Sequence, residues 1–428
     1  MTDQTAARKR MRILIVAHAF PPMNSTASHR PYSWARRWVD MGHEVHVLTP
    51  VKHPFDGAMD MERDLSGIQM HHVPYLPLAP SRSGEDKRVA RWEWLKTLTR
   101  RVRFSIGLFG DLRLLSYIPM VRRGEALLRN ASFDFIIATA PPEGILAVAR
   151  TLSRRSGLPW VADFRDLWFH DMLLYRSALL SRVLGPINRR LARSAGVLVT
   201  VSSGLQQRLS QYLHREVLLS YNGFFEDDFS AAPATRSPGD QRVHIVYTGR
   251  VYPEKRDPGP LFRALAGIRE TTPDLANRLV VDFYGFDEPW LRALIAEHGA
   301  DDCVSLHGFV PYRKSVSAQR GADILLFLDW TAPSAEGVLT GKLFEYLASG
   351  RPILSLGTRK DSEAARILAD AGCGITLTRH EEIVNYLRSL LADRRPPATD
   401  ASRVGAFSRE RQARVLLAEV TSRLGLGT

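Results

Sequence analysis

The segment Glu336-Gly337-Val338-Leu339-Thr340-Gly341-Lys342-Leu343-Phe344-Glu345-Tyr346-Leu347-Ala348 joins a small glycine-containing turn to a helical pattern. A helix start carries backbone N–H groups without intrahelical partners, so this one, with Lys342 beside it, is a receptor for a phosphate. Thr340, Gly341, Lys342 and Leu343 line that start. Glu345, on the first turns of the same helix, can accept hydrogen bonds from two vicinal hydroxyls. Phosphate and a ribose diol together are the chemistry of a nucleotide.

A second loop has matching chemistry. In Tyr247-Thr248-Gly249-Arg250-Val251-Tyr252-Pro253-Glu254-Lys255-Arg256-Asp257-Pro258, Thr248-Gly249 ends a β-branched run and the loop beyond carries Arg250, Lys255 and Arg256. These cations can converge on a diphosphate through bidentate and point-charge contacts. A solvated, charged strand-to-helix loop is the competing reading. His307-Gly308-Phe309-Val310 also ends a strand, where Gly308 allows a close backbone approach or makes a plain turn.

The elements that must hold these loops alternate short β-branched runs with amphipathic stretches, the pattern of a parallel-sheet α/β protein. Strands are expected at Arg12–Ala17, Glu44–Thr49, Ile68–Val73, Phe133–Thr139, Trp160–Asp163, Val197–Val201 and Val217–Ser220. Helices are expected at Pro31–Met41, stopped by Gly42, and at Glu143–Ser156, stopped by Gly157. Residues Ser230 to Gln241 have linker composition. The pattern then restarts, with strands expected at His244–Thr248, Leu279–Tyr284, Val304–His307, Asp323–Leu328, Pro352–Leu356 and Gly374–Leu377, and a closing helix from Phe407 to Leu424. The expected organisation is an N-terminal Rossmann-like domain over 11–229, a second over 242–405, and a C-terminal helix over 406–428 packing back towards the first. Two such doubly wound domains facing across a cleft would bind a ligand beyond their strand C-termini. No GxGxxG follows the first strand, which disfavours a dinucleotide-binding dehydrogenase.

Together the two loops of the second half resemble the donor-binding domain of GT-B glycosyltransferases, specifically the retaining family 4. The resemblance implies that Arg250 and Lys255, which keep the family's spacing, hold a nucleotide diphosphate, and that Glu345 binds the ribose. It implies that Gly249, Gly308, Val310, Thr340, Gly341, Lys342 and Leu343 also line the donor site, with Lys342 an added phosphate ligand. Gly337 stands where relatives carry a glutamate that touches the transferred sugar, and Glu336, displaced from that place by one residue, is the candidate for this contact through a loop one residue longer. In the first half, His18-Ala19-Phe20-Pro21-Pro22 resembles the family's loop after the first strand, with Asn24-Ser25-Thr26 where relatives have a Gly-Gly pair. Thr139-Ala140-Pro141-Pro142 and Asp163-Phe164-Arg165-Asp166-Leu167-Trp168 are similar to signatures of one branch, and Asn222-Gly223 to the family's hinge. Asp163 and Asp166 then either contact the acceptor or brace their loop in an Asp–Arg–Asp network. His18 is either a catalytic group or a satisfied loop histidine.

The implied activity is transfer of a sugar from a UDP- or GDP-sugar to a lipid-linked or polysaccharide-precursor acceptor, with retention of configuration. The leaving diphosphate would take the acceptor's proton, and the protein's share would be placement and charge stabilisation by Arg250, Lys255 and Lys342. No DxD sequence stands where a metal-bound diphosphate needs one, so no cofactor and no metal are expected. Sugar choice is assigned to the loop around Ala332 to Val338.

Bulk properties agree. The 428 residues suit two domains. The two cysteines, Cys303 and Cys373, support neither a disulfide framework nor a zinc site, which fits a cytoplasmic protein. The basic, apolar start at Arg8 to Ala17 is too short for a signal peptide and reads as a first strand. Net charge is +13, and residues 82–130 hold twelve Lys/Arg against five Asp/Glu. Within 87–109, Trp92, Leu95, Leu98, Val102 and Ile106 share one helical side, away from Lys96, Arg100 and Arg103. This is either a core-facing stripe or a peripheral docking helix for an anionic membrane, and the family resemblance favours the membrane. Two alternative functions stand beside the transferase: a GT-B nucleotide-sugar epimerase, and a non-catalytic basic adaptor for membrane or nucleic acid. The adaptor leaves the paired loops unexplained, and no aromatic–basic interleaving of an RNA-binding module is present, so no nucleic acid is expected.

Overall fold

The computed structural model describes residues 10–52, 56, 58–74, 116–166, 178–230, 232–234, 239–253, 255–330, 337–393 and 400–427. The chain divides into two compact units, Met1–Tyr221 with Gln412–Thr428, and Asn222–Arg411.

The first unit is built on β1 (Arg12–Ala17), β2 (Glu44–Pro50), β3 (Ile68–Val73), β4 (Phe135–Ala140), β5 (Trp160–Phe164), β6 (Val197–Thr200) and β7 (Leu218–Leu219). All pair in parallel, in the order β3-β2-β1-β4-β5-β6-β7. A parallel sheet is covered on both faces, so its strands are continuous apolar runs rather than alternating ones. All six residues of β4 are accordingly buried. One face packs Leu14, Val16, Ile136 and Ala138 against Leu146, Ala149 and Leu152 of helix Gly144–Ser156.

Strand ends fall within two residues of the sequence expectation. The first helix does not: it runs Thr26–Asp40, a full turn earlier than Pro31 suggests. Proline there forfeits one internal hydrogen bond. Burial of Arg30, Trp34 and Trp38 on the inner side compensates, with the two indoles stacked 6.0 Å apart.

The division into units also departs from the composition. It falls at Tyr221, ahead of the linker-like stretch, because residues 222–234 already pack on the second unit. Tyr312 Oη donates to Asp228 Oδ2 (3.1 Å), and Arg320 donates to the carbonyl of Ala232. The closing helical pattern resolves into a short 3-10 turn, Gly405–Phe407, and helix Arg409–Arg423. From Gln412 onward this segment belongs to the first unit. The Gln412 side-chain oxygen accepts from the Tyr221 N–H (2.8 Å), Trp38 Nε1 donates to the Ala413 carbonyl (3.0 Å), and Arg423 forks onto Glu216 (2.6 and 2.7 Å).

The second unit carries β8 (Val243–Thr248), β9 (Leu279–Tyr284), β10 (Val304–Leu306), β11 (Ile324–Leu328), β12 (Ile353–Leu356) and β13 (Gly374–Leu377), parallel in the order β10-β9-β8-β11-β12-β13. The chain winds outward from β8 to β10, then returns to lay β11 on the other side of β8. Ligands of open parallel sheets bind beyond the strand C-termini at such a reversal. No described helix is long and apolar enough to cross a membrane.

Candidate functional site

Strand order in the second unit brings the two loops singled out by chemistry to one place. β8 lies beside β11, so helix Gly341–Ala348, which follows β11, begins against the loop that leaves β8. Lys342 crosses this junction. Its Nζ donates to Tyr247 Oη (2.8 Å), approaches the Arg250 carbonyl (3.4 Å) and lies 4.4 Å from the centre of the Tyr247 ring. Tyr247 Oη in turn donates to the same Arg250 carbonyl (2.9 Å), so the strand end, the loop and the helix start are tied through one phenol.

Gly249 makes the crossing sterically feasible. Its φ is +104°, and a Cβ there would collide with Lys342 Cε. The Gly249 carbonyl also lies so close to Gly285 that a Cβ at 285 would collide with it. Only two glycines fit this approach of the loops after β8 and β9.

Burial and the neighbouring charge of Arg256 lower the Lys342 ammonium from its ordinary 10.5 to about 7, partly opposed by Glu345. A cation in this state gains unusually from an arriving anion. Burial likewise raises the Glu345 carboxyl, with Gln319, Lys342 and Arg409 pulling against it. Behind them Tyr346 Oη, its own titration pushed up to about 12 by burial, accepts from the Thr248 N–H (2.9 Å).

The helix start has a spare acceptor as well. Thr340, at the N-cap with extended backbone, makes no capping bond, and its buried Oγ1 has no hydrogen-bond partner. An N-cap hydroxyl normally serves the N–H groups one turn on. Left unengaged beside the N–H groups of Gly341 and Lys342, it completes a polar helix start of the kind that receives phosphate.

The remaining predicted cations stand to either side. Arg250 pairs with Glu288 (2.9 Å), with its guanidinium 5.0 Å from the Phe286 ring and 5.3 Å from that of Tyr252. Lys255 Nζ lies 4.5 Å from the Trp330 ring. Thus Lys342, Gly249 and the Arg250 backbone are assembled, whereas the Arg250 and Lys255 side chains rest on protein partners. At the far side of the edge, Gly308 adopts φ +69° and Phe309 is 77% exposed, 5.7 Å from Phe286. His307 stacks on Tyr284 (4.2 Å) and is bound to Asp282 (2.7 Å), which also holds His244 (2.8 Å). Val310 is half-buried next to this group, and Leu343 is fully buried in the core under the helix start. Tyr247, Gln319 and Glu288 carried no sequence signal, since each acts through a partner remote in the chain.

In the first unit, Asp163 has no exposed surface. Its carboxylate takes Arg30 Nη2 (2.7 Å) and Nε (3.0 Å) and the Thr139 hydroxyl (2.6 Å). Arg30 also donates to the carbonyls of Ser220 (2.9 Å) and Tyr221 (3.2 Å) and lies over Trp34. Asp163 therefore braces β4 and β5 to helix Thr26–Asp40, and the brace is Arg30 rather than Arg165. Arg165 donates instead to the carbonyls of Ala140 and Pro141. Asp166 is exposed at the end of β5. His18 is 3% exposed, with Nε2 3.8 Å from Asp56 Oδ1. Glu336, residues 332–335, Leu167, Trp168, the stretch 87–109 and the rest of 82–115 lie outside the described residues.

Comparison with known proteins follows the same division. Residues 26–219, within the first unit, match the family model described as a glycosyl transferase 4-like domain. No curated protein matches the sequence. Among solved structures, sucrose-phosphate synthase from Thermosynechococcus elongatus is 14% identical with a TM-score of 0.64, covering 98% of this chain and all of that one. Anabaena HepE in complex with UDP and glucose is 16% identical with a TM-score of 0.60, over 96% of this chain and all of that one. An α,α-trehalose-phosphate synthase (UDP-forming) from Burkholderia vietnamiensis is 13% identical with a TM-score of 0.59, again over 96% and 100%. Residues 26–219 thus carry a glycosyl transferase 4-like domain, and the chain as a whole, with its two parallel sheets, shares the fold of these neighbours.

Proposed function

We propose that the chain transfers a sugar from a nucleoside diphosphate sugar, UDP- or GDP-linked, to a lipid-linked or polysaccharide-precursor acceptor, with retention of configuration and without a metal. The observation that carries this reading is the junction of Lys342 with Tyr247, Gly249 and the Arg250 carbonyl at the reversal of the second sheet. There a partly desolvated ammonium, a bare helix start and the unengaged Thr340 hydroxyl face the place where a diphosphate would sit. Glu345, the fifth residue of the same helix, is the group for the ribose diol.

On this reading the donor's diphosphate displaces local pairs rather than filling a vacant cation site. Arg250 would exchange Glu288 for phosphate oxygens, and Lys255 would swing from the Trp330 face. Charge growing on the leaving diphosphate would be met by Lys342, Arg250 and Lys255, each such contact worth about 3 kcal/mol of barrier. The diphosphate oxygen would accept the acceptor's proton on the face it vacates, so Arg250, Lys255 and Lys342 act by charge and placement. HepE and the trehalose-phosphate synthase, named with UDP, support UDP as the first base to test. Glu336 at the sugar, His18 and Asp166 on the acceptor side, a cytoplasmic location and peripheral membrane docking through 87–109 complete the proposal.

Thermal shift with UDP, GDP and their sugars tests it, because a ligand of the folded state raises the melting temperature by mass action. One nucleotide series should stand out, and Glu345→Ala should lose that shift while keeping its unliganded melting temperature. Sugar transfer at the wild-type rate by Glu345→Ala would sink the reading. Incubation of donor with and without acceptor separates transfer from epimerisation.

A further inference from the structure

Asp240, His244, Asp282 and His307 form a hydrogen-bonded chain on one face of the second sheet. Alternate residues of a strand share a face, and Asp282 of β9 lies beside Val246 of β8 and Ser305 of β10. His244 comes two positions before Val246 and His307 two after Ser305, so the chain climbs diagonally towards the strand C-termini. His244 Nδ1 meets Asp282 Oδ2 (2.8 Å), His307 Nε2 meets Asp282 Oδ1 (2.7 Å), and His244 Nε2 meets Asp240 Oδ2 (3.1 Å). Around it, Arg242 forks onto Asp240 (3.1 and 2.7 Å), Asp323 accepts from the His244 N–H (2.9 Å), and Tyr284 stacks on the His307 ring. Counting donors fixes the protonation. A neutral imidazole has one donor and one acceptor, and an ionised carboxylate only accepts. Both nitrogens of His244 face carboxylate oxygens, so both must carry hydrogen. That proton belongs to the ring, because imidazole is more basic than a carboxylate by roughly 2–3 pH units. His307 meets Asp282 through one nitrogen, which an Nε2–H tautomer supplies without charge.

We propose that His244 is an imidazolium at neutral pH and that, through Asp282, it positions the His307 ring and with it the turn His307–Val310 for the base of a nucleotide. His307 is held three ways: by Asp282, by the stack on Tyr284, and by its backbone N–H on the Phe283 carbonyl (2.9 Å). Gly308 turns immediately after it, at φ +69°. β10 lies two strands from β8, about 10 Å away, roughly the span from a diphosphate at Lys342 across a ribose to its base. The inference rests on the reading above of Gly308 and Val310 as donor-site residues. The titrations agree with the geometry. The bond to Asp282, opposed by burial and helped by Asp240, holds His244 above its ordinary 6.5. Burial pushes Asp282 up, and the bonds from His244 and His307 bring it below its ordinary value. Losing the His244 proton leaves one of two carboxylates without its donor, and Asp282 is 7% exposed. The folded His244 value lies above the unfolded one. Its contribution is therefore present below about pH 6.5 and lost as pH rises through the folded value.

Two experiments test it. In NMR of the full chain labelled with ¹⁵N-histidine, the His244 ring signals are identified by their loss in His244→Asn. Both ring nitrogens should be protonated at pH 7, and a bare nitrogen there overturns the charge assignment. Calorimetric titration of UDP, GDP and inorganic pyrophosphate then compares wild type with Asp282→Asn, His307→Phe and the double variant. Asp282→Asn offers one acceptor oxygen to two ring donors. Pyrophosphate has no base, so this variant should weaken the preferred nucleotide about tenfold and leave pyrophosphate unchanged. His307→Phe keeps an aromatic ring on Tyr284 without the bond and should match it, and the double variant should lose no more. Equal weakening of nucleotide and pyrophosphate, or no change in either, makes the chain a brace of the sheet and overturns the positioning role. Wild-type binding of pyrophosphate as tight as that of both nucleotides would mean that the base does not reach this turn, which also overturns it. If wild type binds none of the three, the donor-site reading itself falls, and the positioning role with it.

Discussion

With Lys342 on the diphosphate, as proposed, nucleotide binding would be proton-linked in a defined direction. The Lys342 ammonium is lowered from 10.5 to about 7 by burial and by Arg256, with Glu345 opposing and the Tyr247 hydroxyl as its hydrogen-bond partner. The depression is on the order of 5 kcal/mol in favour of the neutral amine. Because the folded value lies below the unfolded one, the unfolded chain binds more protons between pH 7 and 10.5, and stability from this group rises with pH across that window. A diphosphate reverses the balance: it brings negative charge to the amine, returns the titration towards 10.5 and is bound with uptake of a proton. Affinity for UDP should then fall about tenfold per pH unit above pH 7, roughly a hundredfold by pH 9. The terminal phosphate of UDP has its second ionisation at about pH 6, so at pH 8 to 9 it is fully ionised and its own titration contributes little there. Calorimetry at pH 8 in two buffers of different ionisation enthalpy should show close to one proton taken up. Lys342→Met should bind more weakly at pH 7 yet show neither slope nor uptake. A wild-type affinity independent of pH from 7 to 9, with no proton uptake, would refute the placement of Lys342 on the phosphate.

Three further outcomes follow from the geometry. Arg30→Ala leaves the Asp163 carboxyl without its ion-pair partner and with no exposed surface, so it should cost about 3–5 kcal/mol in urea unfolding, whereas Thr139→Val should cost about 1 kcal/mol. A loss below that of Thr139→Val would mean that the pair is not what holds helix Thr26–Asp40 to the sheet. Gly249→Ala puts a Cβ into Lys342 at a positive φ, and should destabilise by about 1–3 kcal/mol and raise the UDP dissociation constant at least tenfold. Unaltered binding there would show that Lys342 can leave Tyr247 without consequence. Sugar transfer should persist in excess EDTA, and loss of turnover restored by a divalent ion would reverse the metal-independent reading.

Much of the fold was legible because parallel strands must be apolar on both faces, which leaves unmistakable runs such as Phe135 to Ala140 between amphipathic helices. Element ends were less legible. Pro31 reads as a helix start, yet the helix begins at Thr26, since tertiary burial of Arg30, Trp34 and Trp38 outweighs one missing hydrogen bond. The linker-like stretch after Ser230 misplaced the unit boundary for a similar reason: composition reports turns, while the boundary depends on which unit a segment packs against.

For the candidate site, residue type and spacing singled out Lys342, Glu345, Arg250 and Lys255, because phosphate and diol recognition need cations, carboxylates and free N–H groups at loop-to-helix junctions. Pairing was decided elsewhere. That Asp163 belongs to Arg30, that Lys342 rests on Tyr247, and that Gln319 reaches Thr248 are consequences of a sheet order that sets β8 beside β11 and β1 beside β4. Local sequence determines what chemistry a residue can offer. Which buried partner it meets, and hence how far its charge is shifted, depends on contacts across distant parts of the chain, which only the tertiary structure brings together.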